Sequence, residues 1–366
     1  MAVFKELRSI EPNADIRFWC DSKFAPQASA LMNSFDPNLR VDKIVSGKLR
    51  RYHHLTILRQ LMWPRLVLLN IRDSFLVGIG FLQSFIKLII WRPNVVFTKG
   101  GYVCLPVGLA AKLLHIPLVI HDSDAHPGLT NRILSKWATA IATGAPLEYY
   151  DYPKKRSHYI GIPISSEFHP YSTSERLDAK EAWGIDKARS LIVITGGGLG
   201  AQRINDTVIQ ILPELLKLGS VVLVAGSDKY DELRALTPEN DTNFQVYPFI
   251  SEDMATLLAG ADVVVTRAGA TTILELAALS KPTILIPNGK LTGGHQLKNA
   301  KVYSDAGAAI VVDEDEMIEK PEILVKEIAG LLADSDKLSE LSTNLANFAR
   351  PNAANDMAKM IIDAVR

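Results

Sequence analysis

Short apolar runs rich in Val and Ile alternate with longer helix-patterned stretches over nearly the whole chain. The runs predict strands at 16–20, 41–45, 95–98, 118–122, 139–143 and 158–162 in the first half. In the second half they predict strands at 191–195, 221–225, 244–249, 262–266, 283–287 and 309–312. Strand followed by helix, repeated, is the signature of βαβ units with parallel sheets. A very apolar helix is expected over 74–91, and a separate amphipathic helix over 353–366 follows Arg350-Pro351. Between the halves, Gly161-Ile162-Pro163-Ile164 leads into a polar stretch reaching Ser174. The expected organisation is a first domain over 1–163, a second over 164–350, and a helix over 351–366 returning to the first. The fold class is α/β, with two Rossmann-like doubly wound domains and an interdomain cleft facing the carboxyl ends of both sheets. One feature departs from that pattern: the chain opens on a helix, where such a domain normally opens on a strand and a phosphate-type turn.

Two strand–turn–helix junctions carry candidate chemistry. In the segment ADVVVTRAGATTILELAALSK (261–281) an apolar run stops at Arg267-Ala268-Gly269-Ala270, and a helix pattern holding Glu275 follows at once. The unpaired N–H groups at such a helix start, at the positive end of its dipole, form an anion site suited to phosphate. Glu275 falls where a carboxylate reaches the hydroxyls of a sugar attached to that phosphate. A plain βα turn explains the same residues taken alone. The second junction, SLIVITGGGLGAQRIND (190–206), runs a strand into Gly196-Gly197-Gly198-Leu199-Gly200-Ala201. Consecutive glycines permit backbone conformations and approaches that a Cβ blocks. The spacing also fits the dinucleotide fingerprint of a nicotinamide dehydrogenase, but the acidic residue that fingerprint needs, Asp228, arrives late.

Composition narrows the class without choosing a chemistry. The 366 residues suffice for two domains, and 48% hydrophobic with 22% charged residues is ordinary for a globular chain. Forty basic residues balance forty acidic ones. Cys20 and Cys104 make no disulfide framework, no Cys/His cluster has zinc spacing, and a cytoplasmic setting is expected. The balance hides a local excess: residues 40–72 hold eight basic residues (Arg40, Lys43, Lys48, Arg50, Arg51, Arg59, Arg65, Arg72) against Asp42 alone. Leu58, Leu61, Met62, Trp63 and Leu66 lie among them. Because Arg72, Asp73 and Lys87 interrupt the following apolar run, a membrane-spanning helix is not expected. Two readings remain for 40–91: a core helix beneath a solvated basic loop, or a patch that dips into an anionic membrane surface.

The ordered motifs of the whole chain resemble the MurG family. In the first half the resemblance is carried by Lys99-Gly100-Gly101-Tyr102-Val103, Gly108-Leu109-Ala110-Ala111, His121-Asp122-Ser123-Asp124 and Gly128-Leu129-Thr130-Asn131. In the second it is carried by 196–205, Phe249-Ile250, 262–275, His295-Gln296 and Asn299-Ala300. That family implies a GT-B fold and an inverting transfer of GlcNAc from UDP-GlcNAc to undecaprenyl-diphospho-MurNAc-pentapeptide at the cytoplasmic face of the membrane. By resemblance, Gly198 belongs to the substrate-binding residues, and the turn Arg267, Ala268, Gly269, Ala270, Thr271 and Thr272 holds the diphosphate. The backbone of Ile250 reads the uracil, Glu275 accepts from ribose, and His295 and Gln296 touch the GlcNAc. Lys99, Gly100, Gly101, Tyr102 and Asn131 fall on the acceptor side. His121, Asp122 and Asp124 are the catalytic candidates, though His121 also suits a strand end and both carboxylates suit helix caps. Asp122-Ser123-Asp124 has the spelling of a metal motif but falls on the acceptor side, and no metal, cofactor or nucleic-acid partner is expected.

Three departures from the family stand in the sequence. The opening strand and its Gly-Gly-Thr-Gly-Gly-His loop are absent ahead of the 2–7 helix, which predicts a start upstream and exposed sheet edges in the first domain. The family's Asn-Pro-Val-Arg is here Ile162-Pro163-Ile164-Ser165, without the arginine, and Gly-Gly-Ser-Gln-Gly is here 196–200, without the hydroxyl. Two other functions therefore stay open: a GT-B transferase with a different lipid acceptor such as a diacylglycerol, and a UDP-sugar-binding protein without catalysis.

Overall fold

The computed structural model describes residues 1–50, 56, 59, 62–197, 201–226, 230–235, 242–250, 253–289 and 294–365. Gly198 lies outside the described residues, as do Arg51, Leu58 and Leu61 of the basic stretch. Two compact units emerge, one of Met1–Ser165 with Asn352–Arg366, the other of Ser166–Pro351.

The first unit runs α1 (Ala2–Ile10), β1 (Arg17–Cys20), α2 (Ala25–Phe35), β2 (Arg40–Lys43), α3 (Pro64–Trp91), β3 (Val96–Thr98), α4 (Cys104–Leu113), β4 (Leu118–Asp122), α5 (Leu129–Leu134), β5 (Ala140–Thr143) and β6 (Ser157–Tyr159). All its strand pairings are parallel, but they form two sheets, β1-β2 and β3-β4-β5-β6. Helix α1 serves both. Phe4 packs with Met32 and Leu39 against Phe18 and Val41, while Val3 and Leu7 pack on the cluster of Val119 and Ala142.

The second unit runs α6 (Thr173–Ala182), β7 (Leu191–Thr195), α7 (Gln202–Gln210), α8 (Leu212–Leu218), β8 (Ser220–Val224), α9 (Tyr230–Ala235), β9 (Phe244–Tyr247), α10 (Met254–Gly260), β10 (Val263–Thr266), α11 (Ala270–Ala278), β11 (Thr283–Leu285), α12 (His295–Asp305), β12 (Ile310–Val311), α13 (Glu314–Glu319), α14 (Glu322–Ala333) and α15 (Ser335–Ala346). Its six strands make one parallel sheet in the order β12-β11-β10-β7-β8-β9. The neighbours β7 and β10 are the strands that lead into the two Gly turns. Both are buried along their length, which explains their continuous apolar runs. The sequence predicts one helix from the first turn to 218. Two form instead, because Pro213 cannot donate in a helix interior and seats itself in the first turn of α8. The last helix, α16 (Ala353–Asp363), puts Ala353, Met357 and Ile361 on Val119, Ala142 and Ile160 of the first unit.

Helix α3 corrects two expectations. It starts ten residues before 74, with Pro64 in its first turn, and carries Arg72 and Asp73 inside it. Asp73 is buried, paired with Arg50 and Arg72. The buried stripe is narrow, Leu66, Asp73, Gly80, Ser84 and Leu88. At Gly80 a Cβ would stand 1.9 Å from the Val45 carbonyl oxygen, so the backbone itself makes the contact. The remaining apolar face is solvent-exposed, with Leu68, Ile71, Phe75, Leu82, Ile86, Ile89 and Ile90 all more than half exposed. By length and composition the 28-residue helix meets the requirement for crossing a membrane. The core-helix reading of 74–91 does not hold.

Candidate functional site

Helices α7 and α11 begin at the carboxyl ends of the neighbouring strands β7 and β10. Neither has a side-chain cap, and neither carries an acidic residue in its first turn. Their leading N–H groups therefore have no intrahelical acceptor and no competing carboxylate. In α11 these groups belong to Ala270, Thr271 and Thr272. Gly197 adopts φ +73 and donates to Thr195 Oγ1 at 3.1 Å, a conformation suited to glycine. Two buried atoms beside these turns, Thr266 Oγ1 and Asn205 Oδ1, have no hydrogen-bond partner among the described residues. Buried polar atoms without partners call for a ligand or a water.

Glu275 lies about one and a half turns into α11, half-buried, with no hydrogen-bond or ion-pair partner among the described residues. Burial pushes its carboxyl up to about 7. Ile250 follows β9, half-buried, and its backbone makes no hydrogen bond among the described residues. His295 and Gln296 open α12 behind Gly294, whose φ is +58. Gln296 Oε1 accepts from the Asn288 N–H at 2.8 Å, and Asn299 Nδ2 donates to the Ala268 carbonyl at 3.1 Å, tying α12 to the turn after β10.

Arg267 differs from its expected role. Its guanidinium is buried and donates to Glu314 and to the Ile286 carbonyl, so it braces the turn instead of reaching for an anion. Positive potential at this turn comes from helix N–H groups. Glu314 also accepts from Arg203 at 2.8 Å, and Asp315 accepts from the same guanidinium at 2.8 Å. Sequence reasoning missed Glu314, because an acidic run at 313–316 reads as a solvated helix start.

In the first unit, Gly100 and Gly101 follow β3 with φ +79 and +86, beside the exposed Lys99. A Cβ at Gly100 would stand 3.0 Å from Asn131 Nδ2. Asn131 is buried and donates to the His121 carbonyl at 3.0 Å, so it fixes the end of β4. Burial, with the Asp21 carboxylate beside it, raises the pKa of the Tyr102 phenol.

His121 is not available for proton transfer. It is fully buried, and Nε2 lies 2.8 Å from the Gly161 carbonyl, which only accepts, so Nε2 carries the proton. Nδ1 then accepts from the Ser123 hydroxyl at 3.3 Å. Burial, with Lys99 nearby, pushes its pKa down to about 4, and the ring is neutral at pH 7. Asp122 is a different case: burial pushes its carboxyl up to about 7, against the Tyr152 hydroxyl that donates to Oδ2 at 2.7 Å. The Asp122–Tyr152 contact spans thirty residues and leaves no local pattern in the sequence. Asp124 is half-exposed, close enough to Asp122 that its charge adds to that shift. Among the described residues no three His, Cys, Asp or Glu side chains gather to hold a metal ion.

Comparison with known proteins places this geometry. Residues 46–143 match the Glycosyltransferase family 28 N-terminal domain, and 191–357 match the Glycosyltransferase family 28 C-terminal domain. A protein of Acetivibrio thermocellus named UDP-N-acetylglucosamine--N-acetylmuramyl-(pentapeptide) pyrophosphoryl-undecaprenol N-acetylglucosamine transferase is 38% identical over 280 residues, covering 75% of this chain and 74% of that protein. A protein of Clostridium kluyveri with the same name is 33% identical over 324 residues, covering 88% of this chain and 83% of its own. Among solved structures, Acinetobacter baumannii MurG superposes with a TM-score of 0.70 at 25% identity, over 99% of this chain and 94% of that one. A Neisseria meningitidis UDP-GlcNAc 2-epimerase, at 12% identity and a TM-score of 0.61 over 95% of this chain and 98% of its own, shares the fold alone. With two Rossmann-like units of the GT-B kind and relatives of this closeness, the chain belongs to the MurG family.

Proposed function

We propose that the chain is an inverting glycosyltransferase that moves GlcNAc from UDP-GlcNAc to undecaprenyl-diphospho-MurNAc-pentapeptide in peptidoglycan synthesis. The observation that carries this reading is Glu275, a half-buried carboxylate without a partner among the described residues, set behind an uncapped helix start. A carboxylate there accepts from the ribose hydroxyls, while the α7 and α11 N–H groups hold the diphosphate. The Ile250 backbone, without a hydrogen bond among the described residues, pairs with a uracil edge. His295 and Gln296 at the start of α12 contact the GlcNAc, next to the turn that Asn299 braces.

In the reaction the acceptor hydroxyl gives its proton to a carboxylate of the Asp122–Asp124 pair and attacks the anomeric carbon. The bond from that carbon to the diphosphate oxygen breaks with inversion, and UDP leaves. Helix N–H groups stabilise the charge growing on the leaving diphosphate, the role that fixed dipoles play best. Lys99 and the Gly100-Gly101 turn face the acceptor's own diphosphate.

The exposed apolar face of α3, with Lys48, Arg65 and Arg72 exposed nearby, suits an anionic membrane surface, where the lipid-linked acceptor resides. On this reading the enzyme works peripherally, on the cytoplasmic face of the membrane.

Incubation with UDP-GlcNAc and lipid I tests the proposal. One UDP should be released per GlcNAc transferred, with no turnover on a diacylglycerol. Turnover on the diacylglycerol alone, or UDP binding without any transfer, would overturn it.

A further inference from the structure

One buried carboxylate holds both Gly-turn helices of the second unit. Glu314 Oε2 accepts from Arg203 at 2.8 Å, and Arg203 lies in the first turn of α7. Glu314 Oε1 accepts from Arg267, which opens the turn into α11 and also donates to the Ile286 carbonyl at 3.1 Å beyond β11. The Glu314 side chain is 5% exposed and that of Arg267 is 8% exposed. Asp313 fixes the carboxylate's own position, since its side chain caps α13 by accepting from the Asp315 and Glu316 N–H groups. The two oxygens of one side chain thus set the distance and angle between two uncapped helix starts.

We propose that Glu314 is a positioning residue for the diphosphate: through Arg203 and Arg267 it fixes the spacing between the α7 and α11 N–H groups. The inference rests on the reading above, that these helix starts hold the diphosphate of the nucleotide sugar. Chemistry favours it over a role as mere charge balance. A diphosphate spanning two helix starts is held well only at one separation, and small misplacements of reacting groups are costly. By taking up the charge of Arg267, Glu314 also leaves backbone N–H groups as the donors at the turn. Glu314 touches no substrate atom in this scheme.

The test compares the affinities of UDP and of uridine, which lacks the diphosphate, for the full chain carrying Glu314→Gln, Arg203→Gln or Glu275→Ala. Glu314→Gln keeps the shape but not the charge, and should weaken UDP by about tenfold while leaving uridine unchanged. Arg203→Gln, at a partly exposed side chain, should weaken UDP by about threefold, again sparing uridine, and remains informative if Glu314→Gln does not fold. The same variants should raise KM for UDP-GlcNAc along with a fall in kcat. Loss of uridine in parallel with UDP would mark a merely structural residue and overturn the proposal, as would UDP affinities within about twofold of the parent. Glu275→Ala reports separately on the nucleoside. If it leaves both ligands unaffected while Glu314→Gln acts as expected, the ribose assignment falls and the Glu314 assignment stands.

Discussion

Burial pushes the Glu275 carboxyl from 4.5 up to about 7, and two opposite consequences follow. A carboxyl raised in the folded state contributes stability that is fully present below about pH 4.5 and is lost as pH rises through about 7. Glu275→Gln should therefore be more stable than the parent at pH 8, on the order of 1–3 kcal/mol, with the gap closing at pH 4, as urea titrations at both pH values will show. Ligand binding runs the other way, because ribose hydroxyls donate to the carboxylate. UDP-GlcNAc, whose diphosphate does not titrate in this range, should bind roughly tenfold more tightly at pH 8 than at pH 6, and Glu275→Gln should abolish that dependence. A flat profile in the parent would remove Glu275 from the site. His121 has the reverse sign. Its pKa is pushed down to about 4, so the stability it gives is present above about 6.5 and lost as pH falls through about 4. Its ring nitrogen shifts should stay constant from pH 8 to pH 5, and any titration there would restore it as a base candidate.

At the scale of elements, α3 sets the strongest expectations. Its inward stripe is held by backbone contact at Gly80 and by the buried Asp73 pairing with Arg50 and Arg72. Gly80→Ala forces a methyl against the Val45 carbonyl and should cost about 1–3 kcal/mol, read from the denaturation midpoint. The outward face makes a different prediction. Replacing Phe75 and Leu82, 71% and 60% exposed, with serine should lower partitioning onto phosphatidylglycerol vesicles by about tenfold or more. UDP affinity should not change. Equal partitioning of parent and variant would exclude this face as the membrane contact. The helix was only half legible in the sequence. Its last turns stand out by composition, but Arg72 and Asp73 read as an interruption because the burial of Asp73 against Arg50 depends on a residue 23 positions upstream.

Across the whole molecule, the chain leaves its first unit at 165 and re-enters it at 352 through α16. Met357 sits fully buried against that unit's β4–β5 cluster. Met357→Ala should cost about 2–5 kcal/mol and speed amide exchange in β4 and β5, while β7 and β10 stay protected. Uniform deprotection of both units would contradict the division.

Local pattern determined a good deal. Nine of the twelve described strands fall within the apolar runs that predict them, and β2, β6 and β8 begin one residue before theirs, because a short β-branched run marks a strand without information from elsewhere. The two Gly junctions were legible for the same reason, since a strand, a turn and a helix start are contiguous. Only the tertiary structure decided the rest. It joined Arg267 to a glutamate 47 residues on, and Arg203 to the same glutamate 111 residues on. It also locked His121 neutral against a carbonyl 40 residues away, split the first unit's strands into two sheets, and turned the apolar face of α3 outward. The direction of a side chain is set by partners distant along the chain, and sequence periodicity carries no record of them.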